Sequence, residues 1–382
     1  MDKIGTAKTE TEKTETNNTA IDRAVIQTTA EWGEEEFQTC LDRLEKGLSL
    51  DRQQWRILLE GRNPQRAAEA ARRASAVRDR IYGKRVFIRG LIEFTNYCKM
   101  DCYYCGIRRS NTQASRYRLN KEKILACCRA GYELGFRTFV LQGGEDPYFT
   151  DERLAEIVRE IRRSYPDCAI TLSVGERSRE SYETFRKAGA DRYLLRHETA
   201  NEVHFARLHP ENQRLSSRMA CLEELKSLGY QTGAGFMVGS PGQSLDTLID
   251  DLQFLEKLQP EMVGIGPFIP HHQTPFAGEK QGSLELTLYL LSLVRLLLPR
   301  VLLPATTALG TIAPEGREQG ILAGANVVMP NLSPENVREK YLLYDNKICT
   351  GKEAAESLEE LRSSLAAIGY EAVVDRGDIA PE

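Results

Sequence analysis

Hydrophobic and polar positions follow two different periods along most of the chain. Short apolar runs begin near residues 86, 138, 169, 192, 231, 262, 301 and 326. Between most of these runs, apolar side chains recur every three or four residues, as in 121–134, 152–163 and 245–258. Buried strands that alternate with amphipathic helices are typical of parallel α/β folds. Eight such units predict a TIM-type (β/α)8 barrel.

The barrel does not account for either end of the chain. Residues 1–30 are rich in Thr, Lys, Glu and Asn. They predict a disordered tail, because they can bury too little apolar surface to offset the entropy of ordering. Residues 31–84 have a helical period and predict an N-terminal helical cap that covers the closed end of the barrel. We assign the barrel to residues 85–350 and a helical and strand extension to residues 351–382.

Composition places the chain among ordinary globular proteins. Its 382 residues are 41% hydrophobic and 28% charged with a net charge of −4, so a nucleic-acid partner is not indicated. The most apolar run, 286–303, is interrupted by Arg295, Pro299 and Arg300. It therefore favours a buried helix over a membrane span. Nine cysteines without a signal-peptide pattern predict a cytoplasmic protein, which we expect to be a monomer.

Three cysteines form a compact motif directly after the first predicted strand. Cys98, Cys102 and Cys105 are separated by three and then two residues, in a short polar loop. Soft thiolates suit an iron–sulfur cluster, and three of them leave one iron of a four-iron cube open to a further ligand. Two alternatives remain open. The thiols could be buried apolar side chains, or three ligands of a zinc site that is completed from elsewhere.

The motif has an aromatic residue, Tyr104, before the last cysteine and Gly106 after it. It resembles the signature of the radical S-adenosylmethionine (SAM) enzymes. The resemblance implies one [4Fe–4S] cluster on Cys98, Cys102 and Cys105, with its open iron chelated by the amino and carboxylate groups of SAM. An electron from the cluster would then cleave SAM to a 5′-deoxyadenosyl radical. Such a cluster is oxygen-labile, so we expect an anaerobic setting.

Most of the unusual polar sequence follows the predicted strands, where the carboxyl ends of a barrel converge and its active site lies. Gln142, Arg196, Glu198, Thr306 and Thr307 stand at strand ends and would be costly to bury without partners. Arg196 and Glu198 are two residues apart on one strand, so we expect them to face the same side. A structural ion pair is the alternative explanation for these two residues.

The resemblance also implies which residues bind the cofactor. Gly143-Gly144-Glu145 would hold the methionine amino group of SAM, although a tight turn would also explain the glycines. Glu198 would bind the ribose hydroxyls. Arg218 would pair with the methionine carboxylate, a role that suits its two-pronged guanidinium; the alternative is a solvated arginine on a helix. The remaining cofactor-binding candidates are Tyr104 and Ser173.

The barrel interior is the predicted substrate cavity, and the resemblance assigns Arg196 to the substrate. Hydroxyl and amide groups would bind a polar or anionic group without adding a reactive base, which suits radical chemistry. Core packing is the alternative for the methionines. The other cavity candidates are Thr171, Thr306, Thr307, Gln142, Met262, Met329 and Tyr341.

The remaining histidines and cysteines favour structural interpretations. His271-His272 could suggest a metal site, but a histidine pair between prolines is more typical of an exposed loop. Cysteines in helical or strand patterns are most simply buried apolar residues. These are Cys40, Cys127, Cys128, Cys168 and Cys221.

Within the superfamily, the sequences after the strands resemble one subgroup, the HydE family of [FeFe]-hydrogenase maturases, over about residues 85–350. The resemblance implies action on an iron–carbonyl–cyanide species that carries cysteine, toward the diiron unit of the H-cluster. It also implies partner maturases of the HydG-like and HydF-like kinds. The matching stretches are 104–109, 141–148, 192–201, 233–243, 262–275, 304–312 and 324–331.

The sequence departs from some of these relatives near its C-terminus. They carry a second cluster, held by a cysteine and a later Cys-x-x-Cys pair. Here Cys349 stands at the first of these positions and no cysteine follows it. We therefore do not expect a second cluster.

Two other functions remain open. A radical SAM enzyme of small-molecule metabolism, such as methylornithine synthase or a biotin-synthase-like enzyme, would share the cysteine loop and the barrel. The stretches at 196–199 and 304–307 argue against it, by similarity alone. A non-catalytic scaffold that carries an iron fragment would need neither SAM-binding residues nor a reducible cluster. Cleavage of SAM would separate the enzymes from the scaffold.

Overall fold

Parallel strands form the centre of the protein. The computed structural model describes residues 32–349 and 355–381, so the tail predicted at 1–30 lies outside the described residues. The strands are β1 (Arg85–Ile88), β2 (Gly90–Thr95), β3 (Thr138–Gly143), β4 (Ala169–Ser173), β5 (Arg192–Leu194), β6 (Gln231–Ala234), β7 (Met237–Val238), β8 (Met262–Val263), β9 (Gly266–Pro267), β10 (Val327–Val328) and β11 (Glu371–Val373).

The strands close into a barrel. Six of them form one parallel sheet in the order β2-β3-β4-β5-β6-β8. Single bridges continue the ring, since Met262 of β8 pairs with Leu302 and Pro304 pairs with Val327 of β10. β10 pairs in turn with β1, which leads directly into β2. The predicted TIM-type α/β barrel is therefore confirmed.

Helices cover the outside of the barrel, and many begin at a side chain that accepts a hydrogen bond from the first turn, as Asn120, Thr150 and Ser178 do. The helices are α1 (Glu34–Glu45), α2 (Arg52–Glu60), α3 (Pro64–Tyr82), α4 (Lys121–Glu133), α5 (Asp151–Ser164), α6 (Arg179–Ala188), α7 (Glu202–Leu208), α8 (Leu215–Ser227), α9 (Leu245–Leu258), α10 (Leu284–Leu297), α11 (Thr307–Ile312), α12 (Gly316–Leu322), α13 (Glu335–Arg338) and α14 (Leu358–Ala367). No helix in the described part of the chain is both long and apolar enough to cross a membrane.

Alternation along the strands makes the barrel interior polar. In β3, Phe139 and Leu141 join the main hydrophobic core, whereas Thr138 hydrogen-bonds to Arg192 of β5. Successive side chains of a strand point to opposite faces. The residues that share a face with Thr138 therefore line the interior, and Gln142 is one of them, at the carboxyl end.

The first three helices are placed differently from the prediction. α3 packs along α10 and also contacts α12, so these helices lie mainly against the outer layer. The end of α3 reaches the closed end of the barrel through Tyr82, whose hydroxyl accepts a hydrogen bond from the Ala380 amide. The C-terminal segment provides the other contacts there, because Arg192 pairs with Asp378 at 2.6 Å.

Candidate functional site at the carboxyl end of the barrel

The cysteine loop, residues 96–118, follows β2 and is tied to three neighbouring segments by its backbone. The Lys99 amide donates to the Glu145 carbonyl at 2.9 Å and the Tyr103 amide to the Leu208 carbonyl at 3.0 Å. The Gly106 amide donates to the Leu343 carbonyl at 2.9 Å. These contacts hold the three partly buried, unpaired thiols of the motif at the rim of the barrel.

Arg116 organises this loop, and the sequence reasoning missed it. Its guanidinium donates to the carbonyls of Ile107 at 2.8 Å, Arg108 at 2.7 Å and Asn111 at 2.9 Å, and also to that of Asn96. A planar group with five N–H donors can satisfy several carbonyls of an irregular loop at once. Nothing in the spacing of the cysteines points to this residue.

The three thiols fit an iron–sulfur cluster better than a single zinc ion. A tetrahedral zinc with Zn–S bonds of about 2.3 Å brings its sulfur ligands to within about 4 Å of one another. The sulfur atoms of Cys98, Cys102 and Cys105 do not all lie within 4.8 Å of one another. Burial raises the pKa of the Cys102 thiol to about 12 and also raises the pKa of the other two thiols. The surroundings thus disfavour free thiolates, and a cationic iron centre would supply the missing positive charge.

The Gly-Gly-Glu turn after β3 fits against the cysteine loop. A Cβ atom on Gly144 would lie 2.2 Å from the Tyr97 carbonyl oxygen and 2.8 Å from the Cys98 Cβ. The next amide, of Glu145, points to the Cys98 sulfur at 3.4 Å. The contact between these two loops therefore requires Gly144 whether or not the turn also binds a ligand.

Glu145 presents a carboxylate oxygen that lacks a protein donor. Its Oε1 accepts a hydrogen bond from the Glu176 amide at 3.0 Å. Its Oε2 is buried without a hydrogen bond, and the Lys99 ammonium is 3.4 Å away without the alignment of a hydrogen bond. Burial raises the pKa of this carboxyl group. An oxygen in this state is suited to accept a hydrogen bond from an ammonium group of a ligand.

Arg196 and Glu198 lie beyond β5, which ends at Leu194, and their charged atoms are 3.1 Å apart. The contact is not an aligned hydrogen bond, and Arg196 Nε and Glu198 Oε2 have no hydrogen-bond partner. Glu198 has a φ of 65°, a left-handed conformation that is strained for a residue other than glycine. Strain combined with unsatisfied charged groups is typical of a ligand-binding position.

The residue between them, His197, points away from the interior. Its Nδ1 accepts a hydrogen bond from the Gly235 amide at 3.2 Å, and its ring packs on Phe254. Burial lowers the pKa of His197 to about 3, so the ring is neutral at physiological pH. His197 is therefore a structural residue of the outer layer.

Arg218 lies at the site with two of its nitrogen atoms already engaged. Nε donates to the Glu176 carboxylate at 2.6 Å, and one terminal nitrogen donates to the Arg196 carbonyl at 2.7 Å. The sequence reasoning missed Glu176, although it stands directly after β4 in one of the polar strand ends. Arg218 can still contribute its positive charge to a bound carboxylate, but the Glu176 carboxylate shares that charge.

Tyr104 and the strand-end polar residues surround the same mouth. The Tyr104 hydroxyl lies 3.3 Å from Nε2 of the buried His209. Gln142 and Ser173 are neighbours in the paired strands β3 and β4. The Tyr341 hydroxyl lies beside the Gln142 side chain. The structure thus brings these four predicted residues and the cysteine loop to one end of the barrel.

The interior below the mouth contains hydroxyl groups without partners. Thr171 Oγ1 and Thr306 Oγ1 are buried and make no hydrogen bond with the protein. Gly266 makes room for Thr306, because a Cβ atom there would lie 2.8 Å from its hydroxyl oxygen. Thr307 follows as the first residue of α11. The Thr171 and Thr306 hydroxyls can therefore bind a ligand.

Met262 lies deeper than the prediction implied. It packs with Phe87, Leu302 and Val327, in a cluster that also contacts the C-terminal segment, and Met329 packs against the same cluster. This placement favours core packing over a catalytic role for both methionines. The Met262 sulfur is 3.1 Å from Arg89, whose guanidinium is its polar neighbour.

Two buried charged residues, Arg89 and Glu93, were missed by the sequence reasoning. Arg89 is 4% exposed, and its Nε and one terminal nitrogen have no hydrogen-bond partner. Glu93 is fully buried and accepts hydrogen bonds from Lys347 Nζ at 2.5 Å and Asn331 Nδ2 at 2.8 Å. Both are charged residues within the apolar run at 86–94. Their presence in a predicted buried strand was the sequence feature that could have identified them.

The mouth segment, residues 340–349, crosses the carboxyl end of the barrel. Besides Lys347, it binds the barrel through the Asp345 amide, which donates to the Pro270 carbonyl at 3.0 Å. His272 Nδ1 lies 2.7 Å from Asp345. His271, His272 and Asp345 form a potential metal cluster, but Nδ1 of His271 accepts a hydrogen bond from the Gln273 amide at 3.0 Å. The remaining ring nitrogen of His271 therefore carries the proton, which argues against a metal ion.

The sequence matches a family model and several characterised proteins. The family model of the Radical SAM superfamily matches residues 92–255. The [FeFe] hydrogenase maturase subunit HydE of Thermotoga maritima is 51% identical over 276 residues, 72% of this chain and 78% of that protein. The 3-methylornithine synthase of Methanosarcina acetivorans is 28% identical over 332 residues, 86% of this chain and 92% of that protein.

Solved structures match the fold over most of its length. The crystal structure of methylornithine synthase (PylB) has a TM-score of 0.78 and 27% identity, and covers 87% of this chain and 97% of that one. A structure of HydG, a maturase of the [FeFe]-hydrogenase, has a TM-score of 0.74 over 93% of this chain and 79% of that one. Its identity is 18%, so it shows the fold alone.

The barrel, the cysteine loop and these matches define a radical SAM enzyme, whose cofactors are a [4Fe–4S] cluster and SAM. Within this superfamily, the chain belongs to the family of the [FeFe]-hydrogenase maturase HydE.

Proposed function

We propose that this protein cleaves SAM reductively and acts in the maturation of the diiron cofactor of [FeFe]-hydrogenase. Its substrate would be an iron–carbonyl–cyanide species that carries cysteine. The observation that carries the proposal is the 51% identity with HydE over 276 residues, which span most of both chains. The identity with 3-methylornithine synthase over a similar length is 28%.

The residues around the cysteine loop support a role for each part of the cofactors. Cys98, Cys102 and Cys105 would hold the cluster. When bound, the cluster supplies the electron that cleaves SAM to methionine and a 5′-deoxyadenosyl radical. The unpartnered Oε2 of Glu145 would accept a hydrogen bond from the methionine ammonium group, and Glu198 would accept hydrogen bonds from the ribose hydroxyls.

The interior supports an anionic substrate. Arg89 and Arg196 are guanidinium groups with donors that no protein acceptor satisfies, and Thr171 and Thr306 add unpartnered hydroxyls. Buried guanidinium donors without an acceptor are costly, and a bound anion would remove that cost. Cyanide and cysteine carboxylate groups on iron are anionic acceptors of this kind. Arginine and threonine also offer no base that would compete with radical chemistry.

The test is anaerobic reconstitution of the protein with iron and sulfide, followed by reduction with dithionite. We expect an electron paramagnetic resonance signal of the reduced cluster that changes when SAM is added, together with formation of 5′-deoxyadenosine. Cys102→Ala should abolish both. Cys349→Ser is the matched control, since this half-buried thiol lies outside the motif, and it should retain the iron content and activity of the wild type. A cluster that is indifferent to SAM would contradict the proposal.

Methylornithine synthase is the second candidate, because the structural match extends over 97% of the PylB chain. The two functions differ in product. Formation of 3-methylornithine by the reconstituted enzyme would favour the second candidate. SAM cleavage that accelerates with a synthetic iron–carbonyl–cyanide–cysteine complex would favour the maturase. Absence of SAM cleavage by a correctly assembled cluster would leave the non-catalytic scaffold.

We further propose that the protein is a cytoplasmic monomer of anaerobic cells that works with HydG-like and HydF-like maturases. All nine cysteines are unpaired, which supports a reducing compartment. Size-exclusion chromatography under anaerobic conditions, with the protein alone and with each partner, tests this part of the proposal.

A further inference from the structure

The segment that carries Glu198 has a backbone conformation that its surroundings must maintain. Glu198 has a left-handed φ of 65° and a buried carboxylate oxygen without a hydrogen-bond partner. It pairs with Phe236 through a single parallel bridge, and its amide donates to the Gly235 carbonyl at 3.0 Å. A residue other than glycine keeps such a conformation only where neighbouring contacts impose it. The contacts on either side of Glu198 therefore decide where its carboxylate lies.

Asp251, in α9, contacts the residues on both sides of Glu198. One of its carboxylate oxygens, Oδ1, accepts a hydrogen bond from the Ala200 amide at 2.5 Å. The same oxygen lies 3.6 Å from Nε2 of His197. Because Nδ1 of His197 accepts a hydrogen bond from a backbone amide, Nε2 carries the proton and faces the carboxylate. One oxygen atom thus serves the residue before Glu198 and the second residue after it.

Thr199 connects this contact to a wider network. Its side chain lies beside the Asp251 carboxyl group, and its hydroxyl accepts a hydrogen bond from the Asn201 amide at 3.2 Å. The same hydroxyl oxygen lies 3.1 Å from Nδ1 of His204, whose Nε2 lies 3.2 Å from the Ser240 hydroxyl in the loop after β7. The side chains of this network are buried, so water does not compete for their hydrogen bonds.

An aspartate is costly at this position of α9. Other buried positions of the helix are apolar, among them Leu248, Leu252 and Leu255. Asp251 is fully buried, and its second oxygen, Oδ2, has no hydrogen-bond partner. Burial raises the pKa of this carboxyl group well above its usual value. A leucine would fill the position without that cost, which indicates a use for the acceptor.

We propose that Asp251 is a positioning residue for SAM, which fixes Glu198 so that its carboxylate meets the ribose hydroxyls. The inference rests on the proposed function, in which Glu198 binds the ribose. Among the described residues, the close polar contacts of Asp251 lie within 197–200, so it would act through this segment. A carboxylate that is already in place needs no ordering when the ligand arrives, and its affinity gains accordingly.

Loss of this support would change the direction of the Glu198 side chain. Negative φ values are favoured for residues other than glycine, so a released Glu198 would relax out of the left-handed region. Its side chain would turn with the backbone. The contact with Arg196 at 3.1 Å is not an aligned hydrogen bond and provides no substitute. We therefore expect the affinity for SAM, and not the assembly of the cluster, to depend on Asp251.

The test compares the same substitution at two aspartates of α9. Asp251→Leu removes the buried acceptor with little change in volume. Asp246→Leu is the matched control, because the Asp246 side chain is 55% exposed and pairs with Arg52 and Arg56. SAM binding to the reconstituted proteins is measured through the electron paramagnetic resonance signal of the reduced cluster, and KM and kcat through 5′-deoxyadenosine formation with dithionite. Hydrogen exchange of residues 196–201 is measured in the apoprotein.

We expect Asp251→Leu to raise the Kd and the KM for SAM about tenfold, with the iron content and the kcat of the wild type. Exchange of residues 196–201 should become faster, whereas Asp246→Leu should match the wild type in every measurement. Glu198→Ala should itself weaken SAM binding. In a double-mutant cycle with Glu198→Ala, the effect of Asp251→Leu should largely disappear, because it acts through that carboxylate.

An unchanged KM or unchanged exchange in Asp251→Leu, equal losses in the two aspartate variants, or additive effects in the cycle would overturn the proposal. If Asp251→Leu does not fold, Thr199→Val removes one hydroxyl of the network at constant volume. A higher KM at constant kcat in that variant would support the proposal, and an unchanged KM would overturn it. A wild-type protein that forms no 5′-deoxyadenosine would instead overturn the proposed function, so the two failures are distinguishable.

Discussion

At the scale of single residues, the interior of the barrel depends on buried charges that are paired across long distances in sequence. Glu93 is fully buried and Lys347 is nearly so, and their charged atoms lie 2.5 Å apart. Asn331 completes the contact with a hydrogen bond to the same carboxylate. Removal of one partner of such a pair leaves an uncompensated charge in a medium of low polarity, which costs more than the pair itself contributes.

Glu93→Gln should therefore lower the free energy of unfolding by about 3 kcal/mol, because it leaves the Lys347 ammonium buried without an anion. The double variant Glu93→Gln/Lys347→Met should recover a large part of that loss. Urea denaturation of the apoprotein measures both. Glu156→Gln is the control: its pair with Lys121 is exposed and screened by solvent, so the change should be much smaller than that of Glu93→Gln. A double variant as unstable as the single one would contradict the explanation.

The candidate site could be predicted residue by residue only where a local pattern carries the information. The three cysteines have a diagnostic spacing. The two-residue period of a strand predicts that Arg196 and Glu198 lie together; they do lie together, but beyond the end of β5. Arg89 and Glu93 were missed because the apolar residues around them predict a strand that is buried along its whole length. Arg116 was missed for another reason, since its carbonyl partners depend on a loop conformation that no period specifies.

At the scale of elements, the site is built from loops that fit one another. The turn after β3 lies so close to the cysteine loop that Gly144 has no room for a side chain, and Gly143, at the end of β3, is crowded by Phe94 and Thr95 of β2. Glu145 then contributes both its amide, which points to the Cys98 sulfur, and its free carboxylate oxygen. One turn therefore shapes the cluster-binding loop and presents a ligand-binding group.

Gly144→Ala should disturb the cysteine loop, because its Cβ would meet the Tyr97 carbonyl at 2.2 Å. We expect the iron bound after reconstitution to fall to about half or less, together with a loss of about 1–3 kcal/mol in stability from overpacking. Iron analysis and denaturation measure the two effects. Gly278→Ala is the matched control, since its Cβ would have no neighbour within 4 Å. Normal iron content in Gly144→Ala would show that the two loops can separate.

The elements themselves were largely predictable, but their packing partners were not. Period and cap residues indicated the strands and helices of the barrel, which the structure confirms. The position of α1–α3 depended on side chains far away in sequence. α3 packs along α10, and Gly324, after α12, is close enough that a Cβ there would touch Ala74 of α3 at 3.2 Å. A hydrophobic period shows that a helix has a buried face, but not which element covers it.

At the scale of the whole molecule, the last described residues lie at the closed end of the barrel. Asp378 binds both Arg192 and Arg376. Although burial opposes the charged form, the neighbouring arginines hold the pKa of Asp378 well below its usual value. A carboxyl group whose pKa is lower in the folded state stabilises the fold above its unfolded-state pKa, and this contribution is lost as the pH falls.

Asp378→Asn should accordingly be less stable than the wild type at pH 7. The difference should begin to narrow as the pH falls from about 5 to 3, because the aspartate of the unfolded wild-type chain then takes up a proton while the folded Asp378 carboxylate stays ionised. Denaturation curves across this range measure the difference. Asp167→Asn, at an exposed ion pair with Arg137, is the control and should show a small difference throughout. A constant gap for Asp378→Asn would contradict the linkage.

The pairing of β1 has a consequence for folding during synthesis of the protein. β1 is flanked by β10 on one side and by β11 on the other, so both of its neighbours are among the last strands to be synthesised. While the ribosome is still at work, the amino half of the first strand presents an unpaired hydrogen-bonding edge, which can recruit strands of other nascent chains. The ring can therefore close only after β10 has been synthesised, and chaperones have that interval in which to act.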